Sequence, residues 1–155
     1  MNAEGGERKY EVSDLKLEGE GGHVIAEGGE RSAEVFDLKL RTFQFAVRCV
    51  KLADALPPTR SGSTIANQLV RCGTSVGANY RAARRARSRA EFVAKLGISE
   101  EECDEVLYWL EMIEALELVD PSSLNGLFQE ADELLSIIIA AIKTAKSNQI
   151  TKRNG

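Results

Sequence analysis

The stretch that decides the fold is residues 68–113, QLVRCGTSVGANYRAARRARSRAEFVAKLGISEEECDEVLYWLEMI. Its apolar residues recur at alternating intervals of four and three, the spacing of helices in antiparallel bundles. The pattern breaks at a basic turn, where Ser88 and Glu91 have the spacing of a capping box. An alternative start at Ser99 lies in phase with the same apolar series, so one continuous helix is favoured. The predicted core positions are Ile65, Leu69, Cys72, Val76, Asn79, Ala83 and Ala86 in helix two and Phe92, Leu96, Ser99, Cys103, Val106, Leu110 and Ile113 in helix three.

Helical patterns also flank this stretch on both sides. Helix one is expected to start near Ser32 and to stop at Leu56, because the next two residues are prolines. Ser61 or Ser63 would cap helix two, and Asp120 would cap a helix four whose first residue is Pro121. No segment shows useful strand alternation, so we predict an all-α, antiparallel up-down-up-down four-helix bundle. The predicted core positions of helix four are Leu124, Phe128, Ala131, Leu135, Ile138, Ile142 and Ala145.

Helix one has more apolar surface than a small monomeric bundle needs. Its apolar residues form two stripes, so more than half of the helix circumference is expected to be buried. The surplus favours contact with another subunit, although a deeply central helix would give the same pattern. The two stripes are Phe36, Leu40, Phe43, Val47 and Val50, and Leu38, Phe45, Cys49, Leu52 and Leu56.

The amino terminus contains a partial duplication. EGGERKYEVSDLKL at 4–17 and EGGERSAEVFDLKL at 27–40 differ at three positions. The intervening sequence is rich in Gly and Glu, a composition that favours disorder. We therefore expect a disordered tail at 1–31, a bundle at 32–148 and a frayed C-terminus at 149–155.

Composition limits the classes of protein. A chain of 155 residues that is 43% hydrophobic has enough apolar residues for one domain. Neither a signal peptide nor a membrane span is apparent, so a cytoplasmic location is expected. The three cysteines are widely spaced and lack a CxxC motif, which favours buried thiols over zinc or redox chemistry.

The sequence offers little for catalysis. His23 is the single histidine and lies in the expected tail, which excludes His-based nucleophile pairs within the bundle. The run EEECDE at 100–105 could offer carboxylates to a cation, but a solvated helix face is the preferred interpretation. We expect no enzymatic activity, no metal and no cofactor.

Helix two contains three unusual positions. Asn79 lies in an otherwise apolar series; it could contact a ligand, but an amide that bonds across the bundle and fixes its register is preferred. Gly73 and Gly77 each cost a helix about 1 kcal/mol relative to alanine. Close approach of another helix, within the protomer or from a second one, would compensate for that cost.

Basic residues concentrate around the turn between helices two and three. Residues 60–95 contain eight basic residues and one acid, whereas residues 96–120 contain nine acids and no base. Repeated in an oligomer, such a patch would attract phosphates. A basic segment followed by an acidic one would equally suit a contact between neighbouring protomers. The candidate nucleic-acid-binding residues are Arg71, Arg81, Arg84, Arg85, Arg87, Arg89 and Lys95.

These motifs resemble those of the four-helix-bundle family encoded in intervening sequences of bacterial 23S ribosomal RNA genes, over about residues 34–146. The resemblance implies a ring, usually a homopentamer. It also implies a relation to the accessory protein of diversity-generating retroelements, which binds nucleic acid and a reverse transcriptase. Many relatives have Glu near position 82, where this chain has Ala82. The motif residues that carry the resemblance are Gln68, Leu69, Arg71, Ser75, Val76, Gly77, Ala78, Asn79, Glu91, Phe92, Glu105, Tyr108 and Trp109.

Residue chemistry leaves the two interpretations of the arginines evenly matched, and the resemblance favours nucleic acid. We therefore predict a homo-oligomer, pentameric by resemblance, that binds RNA or DNA without base specificity. The alternative is an oligomeric scaffold for a partner protein, such as a reverse transcriptase, with the arginines in subunit contacts.

Overall fold

A computed structural model describes residues 15–18, 23–26 and 37–151, with side chains described from 37 to 147. Within these ranges four long helices form the expected antiparallel bundle, in which each helix packs against the next one along the chain. The elements are the strands β1 (Leu15–Glu18) and β2 (His23–Ala26), the helices α1 (Leu38–Ala55), α2 (Arg60–Ala83), α3 (Arg89–Ala115) and α4 (Asn125–Thr151), and a 3-10 turn at Pro121–Ser123.

The helix caps correct two of the predicted starts. Helix α1 begins at Leu38 and not near Ser32, because the Asp37 carboxylate accepts hydrogen bonds from the backbone N–H groups of Lys39 and Leu40 at 3.0 and 3.2 Å. A side-chain acceptor at this position satisfies N–H groups that have no partner within the helix.

Helix α2 is likewise capped earlier than predicted. Thr59, and neither Ser61 nor Ser63, accepts a hydrogen bond from the Gly62 N–H at 3.1 Å. The predicted cap of α3 is confirmed, since Ser88 Oγ accepts from the backbone N–H three residues later at 3.1 Å. α3 then runs without interruption through Ser99, as expected.

Helix α4 differs from its prediction in its start, in two core positions and in its end. Asp120 is a cap, but it caps the 3-10 turn Pro121–Ser123, and the α-helix begins at Asn125. Five of the seven predicted core positions are buried, namely Leu124, Ala131, Ile138, Ile142 and Ala145, and Leu127 and Leu134 are buried as well. The predicted Phe128 and Leu135 are only half-buried. The helix also continues to Thr151, beyond the expected start of fraying at 149.

The core is built from one apolar stripe of each helix. In α1 the buried stripe is Leu38, Phe45, Cys49, Leu52 and Leu56, one of the two stripes predicted. Most predicted core positions of α2 and α3 are buried, while Phe92 and Ala86 are half-buried. Tyr80, which was not among the predicted core positions, is also buried. All three cysteines are free and buried, as expected.

Two glycines set the distance between α1 and α2. A Cβ atom at Gly73 would lie 2.6 Å from the Cβ and 2.8 Å from the sulfur of Cys49. A Cβ at Gly77 would lie 3.2 Å from Thr42 Oγ1. The close approach expected for these glycines is therefore made within the protomer, by α1.

The amino-terminal segment contains a feature that the sequence pattern did not indicate. β1 and β2 pair as an antiparallel ladder in which Leu15 lies opposite Ala26 and Glu18 opposite His23. Val24 and Ile25 are residues that favour strands. The rest of the expected disordered tail falls outside the described residues.

No helix within these ranges is both long enough and apolar enough to cross a bilayer.

We expect Gly73→Ala to destabilise the bundle by about 1–3 kcal/mol, because the added methyl group must displace Cys49 in a packed core. Urea unfolding of the full chain measures this change. The matched control is Gly97→Ala in α3, where an added Cβ meets nothing within 4 Å. That substitution should stabilise the protein by about 0.5–1 kcal/mol. Equal effects at the two sites would contradict the close approach of α1 and α2.

Candidate nucleic-acid interface

The connection between α2 and α3 is a tight turn that contains three of the candidate arginines, Arg84, Arg85 and Arg87. The backbone N–H groups of Arg84, Arg85 and Ala86 donate to the carbonyls of Tyr80, Ala82 and Ala83 at 3.0–3.1 Å. The Arg87 N–H donates to Glu91 Oε2 at 2.9 Å. Because its backbone is hydrogen bonded, the turn holds the arginines at defined positions.

Helices α1 and α4 also contribute basic residues to this end of the bundle. Arg89 Nη1 donates to the Ala145 carbonyl of α4 at 3.2 Å. This contact brings the part of α4 that contains the exposed Lys143 and Lys146 to the start of α3, and the antiparallel topology brings the first turn of α1, with the exposed Lys39, to the same end of the bundle. We call this surface the arginine end. It comprises Lys39, Arg81, Arg84, Arg85, Arg87, Arg89, Lys95, Lys143 and Lys146.

The three lysines from α1 and α4 were missed in the sequence analysis. These lysines are more than 40 residues from Arg81–Arg89 in sequence, and no cluster of arginines surrounds them. The signal that could have found them is the bundle topology itself, because an up-down arrangement brings the end of α4 and the start of α1 to the α2–α3 turn.

Arg71 does not belong to the arginine end. It lies ten residues before Arg81 in the same helix, a separation of about 15 Å along the helix axis. Its Nη1 donates to the Glu102 carboxylate at 3.0 and 3.2 Å, and Nη2 donates to Glu105. Arg71 is therefore separated from the other predicted nucleic-acid-binding residues and contacts α3 instead.

A hydrogen-bonded chain across α2 and α3 accounts for several of the motif residues. Gln68 Oε1 accepts from Arg71 Nε at 3.1 Å, and the Trp109 indole donates to Glu105 Oε1 at 3.1 Å. Gln68, Arg71, Glu105 and Trp109 thus join the two helices to each other. Their position in the fold explains their chemical types without a ligand.

Asn79 does not bridge the bundle, contrary to the preferred prediction. Its Nδ2 donates to the backbone carbonyl and to the Oγ of Ser75, both at 3.0 Å, within the same helix. A hydrogen bond does cross the core between α2 and α3, but it comes from the buried Ser99 of α3, which donates to the Val76 carbonyl at 2.9 Å. A small hydroxyl fits between closely packed helices, and a backbone carbonyl can accept this additional bond.

Three members of the second predicted stripe of α1 lie on the surface, while Val50 is half-buried and Phe36 lies outside the described residues. Leu40 is 50% exposed, Phe43 53% and Val47 36%. The guanidinium carbon of Arg81 lies 5.8 Å from the centroid of the Phe43 ring, within the range of a cation–π contact. We call Leu40, Phe43 and Val47 the apolar stripe.

Charge is segregated along the bundle. The opposite end contains the acids Asp54, Glu111, Glu114, Glu117 and Asp120, with Lys51 and Arg60 as bases. Residues 1–36 contain nine carboxylates and four basic side chains, a net charge of −5. Since the whole chain carries −4, residues 37–155 carry +1. The acidic pI of the chain thus arises from its amino-terminal segment.

Metal binding and thiol chemistry find little support among the described residues. Among the described residues no group of three or more His, Cys, Asp or Glu side chains could hold a metal ion. Burial raises the pKa of each of the thiols Cys49, Cys72 and Cys103 to about 12, so these cysteines are poor nucleophiles at neutral pH.

Hydrogen bonds from Arg71 and Trp109 hold the pKa of Glu105 below its usual range. This ion pair therefore stabilises the fold above the ordinary Glu pKa of about 4.3, and the stabilisation is lost as pH falls through the lower folded-state value. Trp109 is the single tryptophan, so its fluorescence reports this titration. In Arg71→Met the midpoint should rise toward the ordinary value, and stability at pH 7 should fall by up to about 1 kcal/mol. Arg84→Met is the control; an unchanged midpoint in Arg71→Met would contradict the assignment.

Comparisons with known proteins agree with this architecture. A solved structure described as a protein of unknown function from the S23 ribosomal protein family of Bacteroides thetaiotaomicron is 35% identical to this chain. The match covers 68% of this chain and 97% of that one, with a TM-score of 0.64. No curated protein sequence matches the chain. The model of the 23S rRNA-intervening sequence protein family matches residues 34–140. With its four-helix bundle and its α2–α3 motif residues, this chain belongs to the 23S rRNA-intervening sequence protein family.

Proposed function

We propose that this protein is a non-enzymatic homo-oligomer that binds nucleic acid through the arginine end. The proposed ligand is RNA, which is bound without base specificity. The observation that carries the proposal concerns Arg84, Arg85 and Arg87. Within the described part of the chain, no carboxylate pairs with these three guanidinium groups. Arg41 and Arg71, in contrast, are held by Glu pairs.

The chemistry of this surface suits phosphate. Guanidinium groups form bidentate hydrogen bonds with phosphate oxygens, and clustered positive charge raises the association rate of a polyanion. The arginines project from a turn at the end of the bundle, and that turn has no helix or ribbon shaped to enter a groove and contact base edges. Contacts limited to the phosphate backbone would carry no sequence information. RNA is the first choice of probe because the family description refers to 23S rRNA.

Self-association is proposed on the apolar stripe of α1. Three large apolar side chains on one face of a helix resist exposure to water, and a second copy of the chain would cover them. Phe43 also contacts Arg81, so the apolar stripe adjoins the arginine end. Association through this stripe would bring the arginine ends of neighbouring copies close together and strengthen binding to a long polyanion by multivalency. A pentameric ring is the assembly that the family resemblance implies.

An oligomeric scaffold for a partner protein is the second candidate. The apolar stripe favours it, because a partner helix could cover Leu40, Phe43 and Val47 as well as a second copy could. In that case the arginines would serve subunit contacts.

Replacing Arg84, Arg85 and Arg87 together with Gln should weaken binding to a mixed-sequence single-stranded RNA at least tenfold at low salt and leave the assembly intact. The slope of log affinity against log salt should become shallower by up to about 2, since each lost phosphate contact removes about 0.7. Fluorescence anisotropy across a salt series measures both quantities.

The matched control replaces Arg48, Lys51 and Arg60 with Gln, which gives the same change in net charge away from the arginine end. This variant should retain most of the affinity. An equal loss in the two triple variants would show a general charge effect. Dissociation of the assembly in the first variant would instead assign the arginines to subunit contacts.

Phe43→Asp should dissociate the oligomer, because a carboxylate would be placed within the apolar contact. Light scattering on the purified protein measures the mass. Tyr108→Asp on α3 is the control, since Tyr108 is equally exposed at 52% and lies outside the apolar stripe. The control should keep the mass of the native protein. A protein that is monomeric before any substitution would contradict the self-association.

A further inference from the structure

Arg81 places a chemical requirement on whatever covers the apolar stripe. Its guanidinium carbon lies 5.8 Å from the centroid of the exposed Phe43 ring, so a partner that buries Phe43 also removes this guanidinium from water. A buried cation is costly unless a carboxylate pairs with it. None of the ion pairs among residues 37–147 includes Arg81. The partner must therefore bring a carboxylate as well as an apolar side chain.

The apolar stripe of a second copy does not meet this requirement. An isologous contact would place the outer faces of two α1–α2 pairs against each other. Helix α2 contains no acid, and Asp54, near the end of α1, is the single acid of that helix. Residues 39–53 of α1 contain four basic side chains. Pairing one stripe with another would thus bring like charges together at Arg81.

The outer face of α3 supplies both chemical types. Besides the apolar stripe, the large apolar residues that are exposed among residues 37–147 are Ile98, Tyr108 and Leu116, in α3 or at its C-cap. Acids accompany them, and no basic residue occurs between positions 96 and 120. Helices α1 and α3 occupy diagonal corners of the up-down bundle, so their outer faces point in opposite directions. One copy can therefore present its apolar stripe to α3 of the next copy, in a head-to-tail contact.

The height of the apolar stripe along the bundle selects Ile98 among these residues. Gly77 of α2 faces Thr42 of α1, and the backbone carbonyl of the residue before Gly77 accepts a hydrogen bond from Ser99 of α3. Thr42 and Ser99 therefore lie at the same height along the bundle. Phe43 and Ile98, the residues next to them in sequence, do so as well. In a closed ring of parallel bundles, neighbouring copies meet at equal heights, so the stripe faces the part of α3 around Ile98.

Glu101 provides a carboxylate at this height. It is exposed, lies one turn beyond Ile98 on the same face of α3, and takes part in none of the ion pairs among residues 37–147. Side chains of a helix point toward its N-terminus, so Glu101 projects back toward Ile98. In the antiparallel α2, Arg81 projects back toward Phe43 in the same way. The apolar side chain and the charged group thus have matching positions on the two faces.

We propose that the apolar stripe of one copy packs on the outer face of α3 of the next copy, so that Phe43 contacts Ile98. In the same contact Arg81 pairs with Glu101 of the neighbouring copy. This proposal rests on the self-association proposed above and names the two faces that carry it. It also assigns Arg81 to the subunit contact, which leaves the arginines of the α2–α3 turn available to phosphate. Opposite charges at one point of the contact fix its register.

Ile98→Asp in the full chain tests the apolar half of the contact. A carboxylate at this position should lower the mass measured by light scattering from that of the assembly to that of the monomer. Tyr108→Asp, ten residues further along the same helix, is the matched control and should keep the native mass. Circular dichroism verifies that both variants remain helical. An unchanged mass in Ile98→Asp would overturn the assignment of the α3 face.

An exchange of charges tests the ion pair. Arg81→Glu and Glu101→Arg should each dissociate the assembly, because each places like charges opposite one another. The double variant has the native net charge and should recover the native mass, since the pair is restored with reversed polarity. The mismatched double variant Arg81→Glu/Glu111→Arg has the same net charge and should stay dissociated. Single variants that keep the native mass, or recovery in both double variants, would overturn the pairing.

These measurements separate the contact from the proposed function. They use no RNA, so a failure of nucleic-acid binding would leave them unaffected. A native chain that is monomeric would refute the proposed self-association and the contact with it. A native oligomer whose mass changes neither in Ile98→Asp nor in the charge reversals would refute the α3 contact alone.

Discussion

The contact of α1 with the two glycines of α2 is the constraint on which the other features depend. Gly73 and Gly77 let α1 approach until Cys49 and Thr42 touch the α2 backbone, which fixes the rotation of α1 about its own axis. With Thr42, Phe45 and Cys49 turned inward, Phe43 and Val47 must face solvent. The exposed apolar stripe is thus a direct consequence of core packing. Two apolar stripes on one helix cannot both face the same core.

The antiparallel topology also organises charge. Each helix end is close to the ends of its neighbours, so basic residues at 39, 81–89 and 143–146 meet at one end although they lie far apart in sequence. The acids of the second half of α3 fall at the other end for the same reason. Ion pairs inside the bundle neutralise the remaining charges near the middle, as Arg41 with Glu130 and Arg71 with Glu102 illustrate. Of the arginines without a carboxylate partner among residues 37–147, Arg81, Arg84, Arg85, Arg87 and Arg89 lie at the arginine end, and Arg48 and Arg60 lie elsewhere on the bundle.

The helices could be predicted because their signals are local, and the details that failed depend on tertiary contacts. The Ser88 cap could be predicted from residues 88–91 alone. Near Thr59 and Asp37, in contrast, the sequence offers several other side chains that could cap a helix. The start of α4 was wrong because a 3-10 turn at Pro121–Ser123 precedes the α-helix, while most of its predicted core positions are buried. Asn79 occupies a predicted core position, but Ser75 offers it a partner one turn away. The lysines of the arginine end carry no local signal at all, since only the completed bundle brings them there.

The chain of hydrogen bonds through Gln68, Arg71, Glu105 and Trp109 has a consequence for how related proteins are compared. These residues hold α2 against α3, so selection for a stable bundle alone would keep them unchanged. The N–H groups of Arg84, Arg85 and Ala86 donate to backbone carbonyls, so these bonds do not require particular side chains. Descendants of a common ancestor could therefore exchange the surface that meets a ligand and still share the same signature.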